Sequence, residues 1–207
     1  FIEGVIEQIT NKKKIGKMNV EITIDALNII ITGISDQHGY FSLSKHIKDG
    51  KSYACKGKFS KDNFQTKSID FKIESEQAFK INLGIVGVVG KSVPGIFKGH
   101  VQEIESKKPI PMALVRIEIA RPFEIHLPNT KTNDAGEIDA STTLEYNVDY
   151  SGKMIIVKHD FLGSEKEFKL SRRNNYTCNQ EIELTRERGI GQISGIVLHS
   201  ITLKPVK

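Results

Sequence analysis

The 207-residue sequence predicts an all-β protein: two tandem antiparallel sandwiches with Greek-key links, each of about seven short strands, followed by the first strand of a third unit. Three observations support this. Apolar residues fall at every second position in Val20-Glu21-Ile22-Thr23-Ile24, Val115-Arg116-Ile117-Glu118-Ile119 and Ile182-Glu183-Leu184, which is the period of a half-buried strand. Turn formers punctuate these runs at Asp36-Gln37-His38-Gly39, Asp49-Gly50, Asn133-Asp134-Ala135-Gly136, Ser151-Gly152 and Leu162-Gly163-Ser164. The chain also repeats itself. Helix-like spacing is confined to a weak stretch at residues 44–48.

The repeat begins with the first strand. Ile2-Glu3-Gly4-Val5-Ile6 recurs as Phe97-Lys98-Gly99-His100-Val101 and as Ile193-Ser194-Gly195-Ile196-Val197, with the glycines 95 and 96 residues apart. At the 95-residue offset, Lys12-Lys13-Lys14-Ile15-Gly16 falls on Lys107-Lys108-Pro109-Ile110-Pro111, and Val20 to Ile24 falls on Val115 to Ile119. After two inserted residues, Ser35-Asp36-Gln37-His38-Gly39-Tyr40-Phe41 matches Thr132-Asn133-Asp134-Ala135-Gly136-Glu137-Ile138. Later, Ile69 to Ile73 matches Lys166 to Leu170. The expected organisation is therefore residues 1–84 as one sandwich, 85–95 as a flexible apolar linker and 96–190 as a second sandwich. Residues 191–207 are either the start of a third repeat or a tail strand that adds to a sheet edge.

Local chemistry follows from these alignments. A glycine inside an apolar strand, as at Gly4, Gly99 and Gly195, points to a bulge or a close backbone approach. Asp36 and Asn133 each stand three residues before a glycine, so the side chain can accept a turn amide while Gly39 or Gly136 takes positive φ. Calcium would need six to eight oxygens, and neither turn brings a second carboxylate cluster.

Composition narrows the function classes. Hydrophobic residues make up 38% of the chain and charged residues 27%, with a net charge of +5, and no apolar run approaches the ~20 residues of a membrane-spanning helix. Residues 1–84 carry net +3 and residues 96–187 net −2. The basic clusters, Lys12-Lys13-Lys14 with Lys17 and Arg172-Arg173, are short and sit between strands, so they read as solvated hairpin tips in preference to a phosphate or nucleic-acid surface. Gly84 to Ser92 resembles a phosphate loop, but Ile85 occupies the position of its first glycine and no helix is expected to follow. His38, His46, His100, His126, His159 and His199 do not recur at equivalent repeat positions or show zinc spacing. Cys55 and Cys178 are not equivalent either and read as buried, inert thiols. No cofactor, metal or catalytic residue is expected.

One stretch departs from the scaffold. Where the first repeat turns through Asp25-Ala26-Leu27-Asn28, the second inserts Arg121-Pro122-Phe123-Glu124-Ile125-His126-Leu127-Pro128. Proline cannot donate to a strand ladder, so the segment suits an edge or a projecting hairpin. Phe123, Ile125 and Leu127 must then either fold back on the sandwich or meet a protein partner.

Taken together, the apolar-x-Gly-x-Val strand, the Lys-Ile-Gly or Pro-Ile-Pro turn, the Val-x-Ile-x-Ile strand and the Asp/Asn-x-x-Gly turn resemble the carboxypeptidase regulatory-like domain. That resemblance implies a seven-stranded transthyretin-like, prealbumin-type sandwich, and a spacer, stalk or docking role in a larger bacterial protein. A recognition module serving an attached enzyme or receptor is the alternative. The fold also includes a hydrolase, 5-hydroxyisourate hydrolase, whose closing Tyr-Arg-Gly-Ser is absent here. A Lys–Asn isopeptide bond, found in related sandwiches, would need an inward lysine on the first strand, where Val5, Ile6 and Ile9 stand. The expected partners are a protein or neighbouring domains of the same chain, at the cell surface or in the periplasm, with no nucleic acid.

Overall fold

The computed structural model describes residues 1–47, 51–74 and 80–187. The third-repeat segment 191–207, with Gly195 and His199, and the Asp49-Gly50 turn lie outside the described residues. The alternating runs all form strands. The first sandwich comprises β1 (Ile2–Gln8), β2 (Asn19–Ile24), β3 (Ile29–Ile34), β4 (Tyr40–Leu43), β5 (Tyr53–Ser60), β6 (Lys67–Ile73) and β7 (Ile81–Val88). The second comprises β8 (Ser92–Glu103), β9 (Leu114–Arg121), β10 (Ile125–His126), β11 (Thr130–Lys131), β12 (Glu137–Glu145), β13 (Tyr150–Val157), β14 (Ser164–Leu170) and β15 (Thr177–Leu184).

The two sandwiches share one topology. In the first, a sheet ordered β4-β1-β7 faces one ordered β3-β2-β5-β6, and β7 returns to lie parallel to β1. In the second, β12-β8-β15 faces β10-β9-β13-β14, with β15 parallel to β8 and β11 also paired to β9. All other pairings within the sheets are antiparallel. The fold is thus an all-β sandwich repeated in tandem. Period-two patterning sends Val20, Ile22 and Ile24 into one core and Val115, Ile117 and Ile119 into the other, all essentially inaccessible to water. Each such side chain contributes about 1.5–3 kcal/mol by leaving water. Edge-on aromatic pairs tie the facing sheets, Phe41 with Phe59 at 5.5 Å and Phe97 with Phe168 at 5.1 Å.

Sequence repetition becomes atomic repetition at the turn before the fourth strand. Gly39 and Gly136 have φ of +77° and +74°. Asp36 Oδ1 accepts from the amides of His38 and Tyr40 at 2.8 and 2.9 Å, and Asn133 Oδ1 accepts from those of Ala135 and Glu137 at 3.0 and 2.8 Å. Each glycine carbonyl then accepts from the first strand, Ile6 N at 2.8 Å and Val101 N at 2.8 Å. One residue ahead of each turn, a buried hydroxyl repeats too. Ser35 Oγ accepts from Met18 N at 3.0 Å and donates to the Ile15 carbonyl at 3.2 Å. Thr132 Oγ1 accepts from Ala113 N at 2.9 Å and donates to the Ile110 carbonyl at 2.7 Å. The close approach expected at the strand glycines is present: a Cβ on Gly4 would lie 2.9 Å from the Phe41 ring, and one on Gly99 would lie 2.7 Å from the Gln180 carbonyl oxygen.

Three expectations need correction. Residues 85–95 do not form a linker, because Ile85 to Val88 finish β7 and Ser92 to Gly95 open β8, leaving Val89, Gly90 and Lys91 between the sandwiches. Val86, Gly87, Val88, Val93 and Gly95 belong to the strands, and Gly87, Gly90 and Gly95 make room for close neighbours. Residues 44–47 contain no helix. Ser151-Gly152 is not a turn, because both residues lie inside β13, where Gly152 pairs with Ile119 and Phe168. At the proline insertion, Leu127-Pro128-Asn129 divides the third strand of the second sandwich into two-residue strands that both pair with β9, as the missing proline donors require.

Candidate functional site

A polar seam joins the two sandwiches, and Gln8 is its centre. In β1 the inward positions are Ile2, Gly4, Ile6 and Gln8, so alternation carries an amide to the buried end of the strand, where Gln8 has no exposed surface. Its Nε2 donates to Glu145 Oε1 at 2.7 Å and to the Tyr146 carbonyl at 2.9 Å, and its Oε1 accepts from Asn147 Nδ2 at 3.0 Å. Both amide protons and the carbonyl oxygen of that side chain are therefore engaged across the seam. Glu145 also accepts from Gly90 N at 2.8 Å and from the Thr10 hydroxyl. Asn11 Nδ2 donates to the Asn147 carbonyl at 2.7 Å, and Lys13 pairs with Asp149 at 2.8 Å.

The segment that reaches out from the second sandwich is held rigidly from behind. Asn147, at φ +64°, donates its amide to Tyr176 Oη at 2.6 Å, and the Glu145 amide donates to Tyr150 Oη at 2.9 Å. Burial raises the pKa of both phenols, Tyr150 and Tyr176, whose oxygens serve here as acceptors. The connecting residues are equally tied: Lys91 N donates to the Asn63 carbonyl at 2.8 Å, Gln65 N to the Val89 carbonyl at 2.9 Å and Tyr146 N to the Lys91 carbonyl at 2.9 Å. Tyr146 packs against both hydrophobic cores, its ring edge-on to Phe64 at 5.9 Å. Gly90 has no room for a side chain, because a Cβ would meet Glu145 Cγ at 3.0 Å, Tyr146 N at 3.1 Å and, closer still, the Tyr146 carbonyl oxygen.

The residues singled out in the sequence lie elsewhere. Asp36, Gly39, Asn133 and Gly136 form the two turns already described. In the 121–128 segment, Leu127 is 7% exposed within the second core, Ile125 packs partly against that core, and Phe123 is 48% exposed with its ring edge-on to Tyr150 at 6.1 Å. The structure does not present these three residues as one surface. All three share one phase of the alternation, and burial rises along it from the half-exposed Phe123, ahead of the paired residues, through Ile125 in β10 to Leu127 in the core. Cys55 and Cys178 are buried free thiols whose pKa burial raises. His100 lies 3.7 Å from Glu181, and His126 and His159 sit at the surface beside Glu124 and Asp160 at 2.9 and 2.8 Å. Among the described residues, no three His, Cys, Asp or Glu side chains gather as metal ligands, and no helix is long and apolar enough to cross a membrane.

Sequence reasoning missed the seam. Its readable signal was Gln8, a polar residue on the apolar phase of an alternating strand. Its partners had none, because Glu145, Tyr146 and Asn147 look like an ordinary polar turn.

Searches against protein-family models and curated proteins gave no match. Among solved structures, the chain is similar to the Bacillus anthracis TIE protein, with TM-score 0.38 and 15% identity over 88% of this chain. It spans about a third (33%) of that protein. It is also similar to the shaft pilin SpaA of Lactobacillus rhamnosus GG, with TM-score 0.37 and 11% identity over 92% of this chain and 98% of the pilin. A third similarity is to the minor pilin GBS52 of Streptococcus agalactiae, with TM-score 0.38 and 12% identity over 94% of this chain and all (100%) of that one. The fold assignment rests on the strand pairing of this chain itself.

Proposed function

We propose that the chain is a non-catalytic structural module: two transthyretin-like sandwiches of the carboxypeptidase regulatory-like kind, acting as a stiff spacer or docking unit within a larger bacterial protein at the cell surface or in the periplasm. The observation that carries this reading is the fully satisfied, buried Gln8 amide bonded to Glu145, Tyr146 and Asn147 of the other sandwich. Domains joined by a free linker move relative to one another by default. Opening this seam would instead exchange its hydrogen bonds for bonds to water, at a net cost of about 0.5–1.5 kcal/mol each, so one arrangement is favoured. A spacer must transmit position and load, and three connecting residues with tied backbones supply little slack.

Single-molecule pulling between the termini of the two sandwiches tests it. A spacer gives discrete unfolding events, one per sandwich, with no compliant extension before the first. Extension at low force before any unfolding would refute the spacer role.

A recognition role for the 121–128 segment has one observation in its favour, the exposed Phe123. In that case Phe123→Ala would abolish capture of the partner while lowering the melting temperature far less than Leu127→Ala does.

A further inference from the structure

The two basic clusters of the sequence, 160 residues apart, meet at the seam, with Lys13 and Lys14 from the first and Arg172 and Arg173 from the second. Two neighbouring hollows share Arg172 and Asn147 as common wall. The smaller, about 360 Å³, adds Lys14 and Lys61; the larger, about 800 Å³, adds Lys13, Arg121, Lys169 and Arg173. Of the carboxylates lining them, Asp149 is paired with Lys13, which leaves Asp62. No carboxylate among the described residues lies within ion-pair distance of Lys61, Arg121, Lys169, Arg172 or Arg173. The chain therefore holds five cations together against their mutual repulsion, on walls contributed by both sandwiches.

Arg172 is fixed in this position. Ser171 caps the single turn Arg172–Asn174, with Asn174 Oδ1 returning to the Ser171 amide at 2.8 Å, and the Arg172 guanidinium lies 5.6 Å over the Tyr146 ring. Lys61 is anchored by donating to the Gly16 carbonyl. Burial first, then the nearby charges of Lys17 and Arg172, lower the Lys61 pKa. Guanidinium forks bind carboxylate and phosphate alike in a bidentate manner, and a phosphate chain carries the repeated charge that two adjoining cationic hollows can match.

We propose that this seam binds a linear phosphate ligand carrying at least two anionic centres, one in each hollow, with Arg172 between them. Each sandwich supplies part of the site, so the ligand engages the two domains only while the seam is closed.

Isothermal titration of the full chain with inorganic tripolyphosphate, at low and at physiological ionic strength, tests this. The expected result is saturable binding with one site per chain, at least tenfold tighter than orthophosphate. Arg172→Ala Arg173→Ala should weaken it about tenfold or more. Arg173→Ala alone, which leaves the Tyr146 contact intact, should weaken it about threefold. Lys45→Ala Lys80→Ala, two cations at the Ile2 end of the first sandwich and so at the far end of β1 from Gln8, should change it less than twofold. The proposal is overturned by any of three outcomes: no saturable binding, equal affinity for orthophosphate, or equal losses from the distant lysine pair and the arginine pair. Unchanged melting temperatures would confirm that the variants are folded. A single-stranded oligonucleotide binding more tightly than tripolyphosphate, with the same arginine dependence, would also overturn it in favour of a nucleic-acid surface.

Discussion

Gln8 and Glu145 are 137 residues apart in sequence and joined by a 2.7 Å hydrogen bond, one on the first strand of the first sandwich and the other at the end of β12 in the second. Gln8 is completely buried, so the bond forms where water cannot replace it. A buried polar contact is costly to break from one side and comparatively neutral to remove from both.

That asymmetry gives the first expected outcome. Gln8→Ala and Glu145→Ala should each destabilise the tandem by about 1–3 kcal/mol. The double variant should lose less than the sum, with a coupling of about 0.5–3 kcal/mol, measured by denaturant unfolding. Strict additivity would mean that the two side chains act independently.

Gly90→Ala should open the seam, because the new methyl would collide with the Tyr146 backbone and with Glu145. Small-angle scattering should then show a broader distribution of dimensions than the wild type, while circular dichroism keeps the same strand content. An unchanged scattering profile would show that the seam accommodates the methyl group.

The paired turns should respond in parallel. A Cβ on Gly39 would lie 2.6 Å from the Ile6 carbonyl oxygen, and one on Gly136 would lie 2.5 Å from that of Val101. Both residues also have positive φ. Gly39→Ala and Gly136→Ala should each cost more than about 1 kcal/mol, and hydrogen exchange should assign the loss to the sandwich that carries the change. A loss below that level would remove the steric argument.

Within the 121–128 segment the two apolar residues should behave differently. Leu127→Ala empties a core position and should cost about 2–5 kcal/mol. Phe123→Ala, at a half-exposed ring, should cost under about 1.5 kcal/mol, the scale of one aromatic pair. Thermal unfolding of the two variants checks both values.

Strands and most turns were legible in the sequence because they are local, while Ser151-Gly152 misled because pairing with β9 and β14 draws it into β13. Period-two alternation and the Asp36 to Gly39 spacing each concern neighbours in the chain, and the 95-residue repeat supplied a second independent copy of each. The seam was not legible, because Gln8 meets Glu145, Tyr146 and Asn147 only after both sandwiches have formed. The short stretch of residues 85–95 misled for a related reason: Gly87 and Gly90 look flexible in sequence, whereas a Cβ at Gly87 would lie 2.8 Å from the Ile9 side chain and one at Gly90 would strike Tyr146. Close packing and flexibility leave the same residue in the sequence. The basic clusters, too, looked like separate solvated tips until the fold brought Lys13 and Arg172 to one surface.

The fixed relationship between the sandwiches is tested most directly by residual dipolar couplings of backbone amides in one weakly aligned sample. A stiff seam gives one alignment tensor that fits β1 to β7 and β8 to β15 together, and Gln8→Ala splits it into two of unequal magnitude. Two unequal tensors in the wild-type protein would contradict the account, because the sandwiches would then be reorienting freely despite the hydrogen bonds at Gln8.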